Sequence, residues 1–292
     1  MNKWKKWKIN EICQDQSGFP MELKKISGCP KKLYYRGEWD TRLFAKTLSV
    51  VGSRRMTKYG REVIARFMPD LVANKVVIIS GFMYGVDSEA HRTCLSLGGK
   101  TIAVLGCGLN CLTPIENDEM YAEILENGGL VVSEYEPDFK PTLWSFPQRN
   151  RIVSGMSTLG ILIVEAGVKS GSLITARIGF KQKKNIFAVP GQITSTASEG
   201  SNWLIDQGLA KIAVSPGQIL GQKNYVTQMD IFEENDINIE YKKVISVLRR
   251  ESMTTDELAR EINMNIPEIS ILISKMIMDG VIEDDNGKLY AL

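Results

Sequence analysis

The stretch LSVVGSRRMTKYG, Leu48 to Gly60, decides the fold. An apolar run with buried-strand character passes into Gly52-Ser53-Arg54-Arg55 and then into a helix-like pattern. A strand that empties into small residues and cations at a helix start is built to hold phosphate, because free N–H groups and the positive end of the helix face the ligand. The grammar recurs along the chain in VVIISG (Val76 to Gly81), TIAVLG (Thr101 to Gly106), LVVSE (Leu130 to Glu134), LGILIVEAG (Leu159 to Gly167), NIFAVPG (Asn185 to Gly191) and KIAVS (Lys211 to Ser215). Continuous Val- and Ile-rich strands alternating with helices predict an α/β domain with a doubly wound, mostly parallel sheet covered on both faces. In such sheets ligands collect where the carboxyl ends of strands meet the following loops. The loops expected at that edge hold Arg54, Arg55, Asp87, Glu134, Arg149, Arg151, Lys169, Ser170 and Ser172.

Composition restricts the function classes. The chain has 292 residues, 43% of them hydrophobic, and no apolar run approaches the roughly 20 residues of a membrane span. The amino-terminal MNKWKKWKIN is cationic without an apolar core, so no secretory signal is expected and the cytoplasm is the expected compartment. Cys13, Cys29, Cys94, Cys107 and Cys111 form an odd, scattered set, which argues against a disulfide scaffold. Cys107 and Cys111 have ligand-like spacing, but no second cysteine pair accompanies them and His91 is the only histidine. A metal site is not expected. Gly106-Cys107-Gly108 lacks the third glycine of a dinucleotide fingerprint, Cys111 standing in its place, so no nucleotide cofactor is expected either.

The net charge of +2 conceals a polarised chain. From Pro216 to Leu292 there are 8 Lys+Arg against 14 Asp+Glu, a net of −6, which leaves +8 for Met1 to Ser215 (28 against 20). A basic sheet domain with an acidic appendage suggests a polyanion for the former and another task for the latter.

Six stretches carry a resemblance: GSRR with Tyr59-Gly60, SGFMYGVDSEAH (Ser80 to His91), GGKTIAVLGCGL (Gly98 to Leu109), FPQRNRIVSGMS (Phe146 to Ser157), EAGVKSGSLITAR (Glu165 to Arg177) and FAVPGQI (Phe187 to Ile193). In order and spacing they resemble the DprA, or Smf, family of DNA-processing proteins, from about Phe19 to Ser215. The segment FPMELKKISGCPKKLYYRG (Phe19 to Gly37) resembles the lead into that family's first strand. The resemblance implies a Rossmann-like domain that binds single-stranded DNA, forms a homodimer, protects incoming strands and helps place the RecA recombinase on strands coated by single-strand-binding protein, in natural transformation and recombination. It implies no catalysis.

Residue by residue, Gly52, Ser53 and Arg54 match the family's glycine-serine-arginine turn, where the cation contacts DNA backbone. Arginine suits this because its planar fork can grip two phosphate oxygens; pairing with Glu134 or Asp87 is its bland alternative. Arg55 is its neighbour in the turn. Phe146, Arg149, Asn150 and Arg151 match the family's FPxRNR stretch; an aromatic face can stack on an unpaired base while guanidinium groups neutralise phosphates, and Phe146 is read either as that platform or as a core residue beneath the loop. Trp144 is a second stacking platform. Where some members carry a DNA-contacting lysine this chain has Leu143, with Lys140 nearby. Lys169, Ser170, Gly171 and Ser172 open a helix whose N–H groups can accept a phosphate, with Ser172 as its expected cap. Asp87, Glu89 and His91 look catalytic, but no nucleophile is paired with them, and helix-start capping by Asp87 with a structural His91 explains them more simply. The alternating WKKWK (Trp4 to Lys8) is read either as a nucleic-acid contact or as a disordered terminus.

The expected organisation is a basic amino-terminal extension (1–44), the DNA-binding sheet domain (45–220), a linker (221–239) and a winged helix (240–292). The last rests on three short helices followed by a hairpin signal around DDNG, similar to the carboxy-terminal module of many family members. Its third helix offers Lys275 against Glu268 and Asp279, and its wing carries Glu283, Asp284 and Asp285, which suits a protein surface better than phosphate. Two other classes compete. A phosphoribohydrolase-like nucleotide-processing enzyme would use Glu165 beside Gly167, although VEAGVKSGS stands where those enzymes have PGGxGT; a winged-helix regulator would prefer defined duplex.

Overall fold

The apolar runs form strands. The computed structural model describes residues 3–221, 239–285 and 287–291, so the expected linker lies outside them except at its ends. In chain order the elements of the first unit are β1 (Asn10–Cys13), α1 (Met21–Lys24), β2 (Lys32–Gly37), β3 (Thr47–Val51), α2 (Lys58–Ala73), β4 (Val77–Ser80), α3 (Val86–Ser96), β5 (Thr101–Val104), α4 (Asp118–Glu126), β6 (Leu130–Ser133), α5 (Ser145–Gly155), β7 (Gly160–Ile163), α6 (Gly171–Lys181), β8 (Ile186–Ala188), α7 (Glu199–Asp206), β9 (Lys211–Ile212) and α8 (Pro216–Leu220).

Nine strands make one sheet in the order β1-β2-β6-β5-β4-β3-β7-β8-β9. Pairing is parallel from β6 through β9, while β2 joins β6, and β1 joins β2, antiparallel. Alternation along each strand separates two cores. Leu48, Val50, Ile78 and Leu162 pack with Val63, Phe67 and Leu71 of α2 and with Val86 and Ala90 of α3. Val51, Ile79, Val104 and Ile163 pack on the other face with Ile152 and Val153 of α5 and Ala176 of α6. Each such side chain removed from water contributes about 1.5–3 kcal/mol, so the sheet is fixed from both sides.

The topology places a crevice. From β3 the chain winds outward through β4, β5 and β6, then returns to lay β7 on the other side of β3. The loops leaving β3 and β7 therefore diverge, which is the switch point where doubly wound sheets bind ligands.

The boundary expected at 44/45 is corrected. Met1–Asn224 is one unit, because the lead segment supplies β1 and β2 and pairs with β6 from Tyr34 to Gly37. The WKKWK segment is neither a disordered tail nor an exposed aromatic-cation array. Trp4 is buried, stacks on Tyr121 at 4.7 Å between ring centroids, donates its indole N–H to Asp118 at 2.6 Å and lies 4.6 Å from the Arg36 guanidinium.

The second unit, Tyr225–Leu292, contains α9 (Ile239–Leu248), α10 (Thr255–Ile262), α11 (Ile266–Met278) and the antiparallel hairpin β10 (Ile282–Asp285) and β11 (Lys288–Ala291). This is a winged helix. Thr254 and Glu257 form a capping box at the start of α10, Asn265 caps α11, and Val244, Leu258, Ile269, Leu272 and Met276 share its small core.

Candidate nucleic-acid interface

The turn after β3 is clamped from two sides. A Cβ on Gly52 would lie 2.6 Å from Val86 and 3.0 Å from the Glu165 carbonyl, so only glycine fits. Gly85 has φ 75°, its missing Cβ would overlap the Ser53 carbonyl oxygen, and the next N–H, that of Val86, donates to that oxygen at 3.1 Å. Ser53 Oγ accepts the Arg55 N–H at 3.0 Å. Buried Glu165 accepts the Thr57 N–H at 2.9 Å and the Thr57 hydroxyl, securing the start of α2. Held in this way, Arg54 and Arg55 are exposed.

Opposite, the loop after β7 opens α6. Ser170 is the N-cap, its hydroxyl accepting the Ser172 N–H at 3.3 Å; Ser172, the expected cap, lies buried within the first turn. Lys169 is exposed, and space around Gly171 is open enough that a Cβ there would meet nothing within 4 Å. The third wall is α5, whose Phe146, Arg149, Asn150 and Val153 share one face at helical spacing. Together these segments line a cleft of about 520 Å³ that contains Gly52, Ser53, Arg54, Arg55, Phe146, Arg149, Asn150, Lys169, Ser170, Gly171 and Ser172. Arg54 and Lys169 thus share one rim. Among the described residues Arg54, Arg55 and Lys169 form no ion pair, including with Glu134 or Asp87. The Arg54 guanidinium lies 5.9 Å from the centroid of the half-buried Phe146 ring.

Arg149 differs from the loop cation expected there. It is 3% exposed, and its Nη1 donates to the carbonyls of Gly81 and Val104, at the carboxyl ends of β4 and β5. Asp87 is its buried electrostatic partner. Burial outweighs that attraction and pushes the Asp87 carboxyl up to about 6, with Arg149 lowered to about 10 for the same reason. Arg149 therefore ties the floor of the cleft to the sheet. Asp87 is not the helix-start cap expected of it, since it lies inside α3 and accepts the Met83 N–H at 3.3 Å. His91 is fully buried against Thr101 at 2.6 Å, and burial lowers it to about 3, leaving a neutral imidazole.

Arg151 and Trp144 lie outside this cleft. Arg151 pairs with Glu134 on a different face of α5. Trp144 is 56% exposed and packs edge-on against Tyr135 and Phe139, themselves stacked at 4.5 Å. Leu143 is exposed beside it. Asp87, expected at this edge, also lines the cleft, as do Gly81, Met83, Ile174 and Thr175, which were not assigned to it from the sequence; the signal for Thr175 was its position one turn after Ser172. Gly106 and Gly108 serve close packing, against Phe146 and against the Glu136 and Pro137 backbone. The Cys107 thiol donates to the Cys111 carbonyl at 2.7 Å, and burial pushes its pKa to about 12. Among the described residues no three His, Cys, Asp or Glu side chains gather as a metal ion requires.

The architecture is that of a Rossmann-like α/β protein with a cationic cleft at the switch point of its sheet. Residues 10–224 match the family described as DNA recombination-mediator protein A, and the chain belongs to this DprA/Smf family. It is 34% identical over 278 residues to protein Smf of Escherichia coli strain K12, covering 92% of this chain and 74% of that protein. It is 38% identical over 204 residues to DNA processing protein DprA of Streptococcus pneumoniae, covering 70% and 71%. The crystal structure of Streptococcus pneumoniae DprA superposes with a TM-score of 0.68 at 35% identity, covering 75% of each chain. A structure of Helicobacter pylori DNA processing protein A, described for its single-stranded DNA binding mode, superposes with a TM-score of 0.66 at 31% identity, covering 76% of this chain and 97% of that one.

Proposed function

We propose that the chain binds single-stranded DNA along this rim, without bond chemistry. The observation that carries the reading is the pairing of Arg54 and Lys169, exposed cations in no ion pair among the described residues, on two loops that line one cleft with the Phe146 ring and the start of α6. That set suits sugar-phosphate oxygens on both sides of an unpaired base. Ser53, Asn150, Ser170 and Gly171 supply small or hydrogen-bonding surface, and Trp144 is an outlying stacking platform. Arg149 acts from below, holding Gly81 and Asp87. Arg151 is committed to Glu134 and stands outside this clamp. The relative whose structure is described for single-stranded DNA binding supports the choice of ligand.

The absence of catalysis is supported by how the acidic and basic groups are occupied. Both Glu165 oxygens accept from Thr57, Asp87 lies against Arg149, and His91 is neutral and sealed. A phosphoribohydrolase would need a free carboxylate there. In this reading the protein acts in the cytoplasm as a homodimer, protects incoming strands and helps place RecA on DNA coated by single-strand-binding protein during transformation and recombination. No helix among the described residues is long and apolar enough to cross a membrane.

The decisive experiment is a salt titration of binding to single-stranded and duplex oligonucleotides. Single strands are expected to bind more tightly, with affinity falling steeply as salt rises because bound phosphates release counterions. Equal or tighter duplex binding, or a flat salt dependence, would falsify the reading.

A further inference from the structure

A second cleft, of about 700 Å³, adjoins the first. Pro147 lines both. The same two helices form them: Asn150 of α5 and Thr175 of α6 line the first, Arg151 of α5 and Ile178 of α6 the second. Its lining carries Lys25, Arg151, Lys181, Lys183 and Lys184 against one carboxylate, Glu22. Glu22 is already shared by Lys184, at 2.6 Å, and Lys25. Lys181 and Lys183 are exposed and, among the described residues, in no ion pair. Arg151 gives one nitrogen to Glu134, while its Nη1 has no hydrogen-bond partner.

A lysine in the last turn of a helix answers the helix dipole, which accounts for Lys181. Lys183, one residue beyond the C-cap Gln182 with φ 58°, can answer it as well, as Lys75 with φ 57° can after α2. What sets this groove apart is the number of cations gathered on it for a single carboxylate.

Resting on the reading of the first cleft as a DNA site, we infer that the groove between α5 and α6 continues the strand's path. A single-stranded polynucleotide clamped by Arg54 and Lys169 passes over Pro147, and its next phosphates are held by Lys181 and Lys183. From Lys169 to Lys181 is a helical rise of about 18 Å, at ~1.5 Å per residue. At ~3.4 Å per phosphate of a stacked strand, that span takes about five nucleotides. Lysines would also draw an acidic peptide, but the shared Pro147 wall favours one polymer long enough to fill both clefts.

The test uses the full chain and fluorescent oligothymidylates of two lengths, one too short to leave the first cleft (about 4 nucleotides) and one able to span both (about 15). Lys181→Ala with Lys183→Ala should leave the short strand's affinity unchanged. It should weaken the long strand on the order of tenfold at low salt and flatten its salt slope by about 1.4, at ~0.7 per lost phosphate contact. Lys46→Ala with Lys100→Ala removes the same charge just before β3 and β5, at the opposite edge of the sheet, and should do neither. The second cleft is overturned by an unchanged long-strand affinity, by equal losses at both lengths, or by a comparable loss in the Lys46/Lys100 variant. Should Arg54→Ala with Lys169→Ala leave both lengths unaffected, the first cleft fails, and this inference with it.

Discussion

The rim of the sheet and the winged helix both offer helices and loops to solvent, yet they handle charge in opposite ways. At the rim, exposed cations that are in no ion pair among the described residues stand above a floor whose ionisable groups are buried and engaged: Arg149 with Gly81, Val104 and Asp87, and Glu165 with Thr57. In the winged helix the exposed face of α11 presents Ile266, Ile271, Lys275 and Met278, and its wing presents Glu283, Asp284 and Asp285. A helix beside a loop attracts phosphate only where cations remain free and the local carboxylates are occupied. The winged helix has the shape of a DNA reader without that electrostatic arrangement.

The largest expected effect tests the rim's floor. Arg149→Met should destabilise the first unit by about 3–5 kcal/mol, because it strands a buried carboxylate and two carbonyls. Arg66→Met on the exposed surface of α2 should change stability by less than about 0.5 kcal/mol. Urea unfolding followed by tryptophan fluorescence reads the first unit, since all five tryptophans lie within it. A small loss from Arg149→Met would reduce it to a surface cation.

Next in size is a pair of opposed pH dependences. The raised Asp87 carboxyl makes the native state hold an extra proton between about pH 4 and 6, so its contribution falls as pH rises through that window. Lowered His91 does the reverse: the unfolded chain takes the proton below about pH 6.5, so stability declines as pH falls. The two nearly cancel in the native protein. Asp87→Asn should reveal stability rising with pH, and His91→Gln stability falling with pH, each by about 1.4 kcal/mol per unit. Denaturant titrations at pH 4, 5 and 6 check both signs.

Third, Arg54→Ala with Lys169→Ala should cost about 25-fold in single-strand affinity near 0.1 M salt and flatten the salt slope by about 1.4, on all sequences alike. Smallest is the contrast itself: removing residues 240–292 should leave DNA affinity unchanged or a few-fold tighter. A large loss in anisotropy measurements would restore the winged helix as a DNA contact.

Much of this was legible in the sequence. Parallel strands announce themselves because both their faces are buried, so Val77 to Ser80 and Gly160 to Ile163 read as apolar runs, and the glycines after them mark the loops. β1 and β2 were hidden, since Asn10, Glu11, Lys32 and Arg36 dilute an antiparallel edge whose register only the fold supplies. The separation of Arg151 from the first cleft has a similar cause. FPQRNR reads as a loop motif, but it lies on a helix, where residues 149 and 151 point about 200° apart, at ~100° per residue. The spacing of Phe146, Arg149, Asn150 and Val153 carried that information. What no spacing carried was the burial of Arg149, because its partners are backbone carbonyls from β4 and β5 rather than residues with a type.

Trp4, packed against Tyr121 and the Arg36 guanidinium, turns the segment from Lys3 into a plug outside the cationic cleft. Trimming a preparation as far as Lys8 would uncork an aromatic socket and leave an arginine beneath it without its ring, so such material should become sticky and heat-labile while still titrating normally with oligonucleotide. Affinity handles are accordingly better carried at the other end.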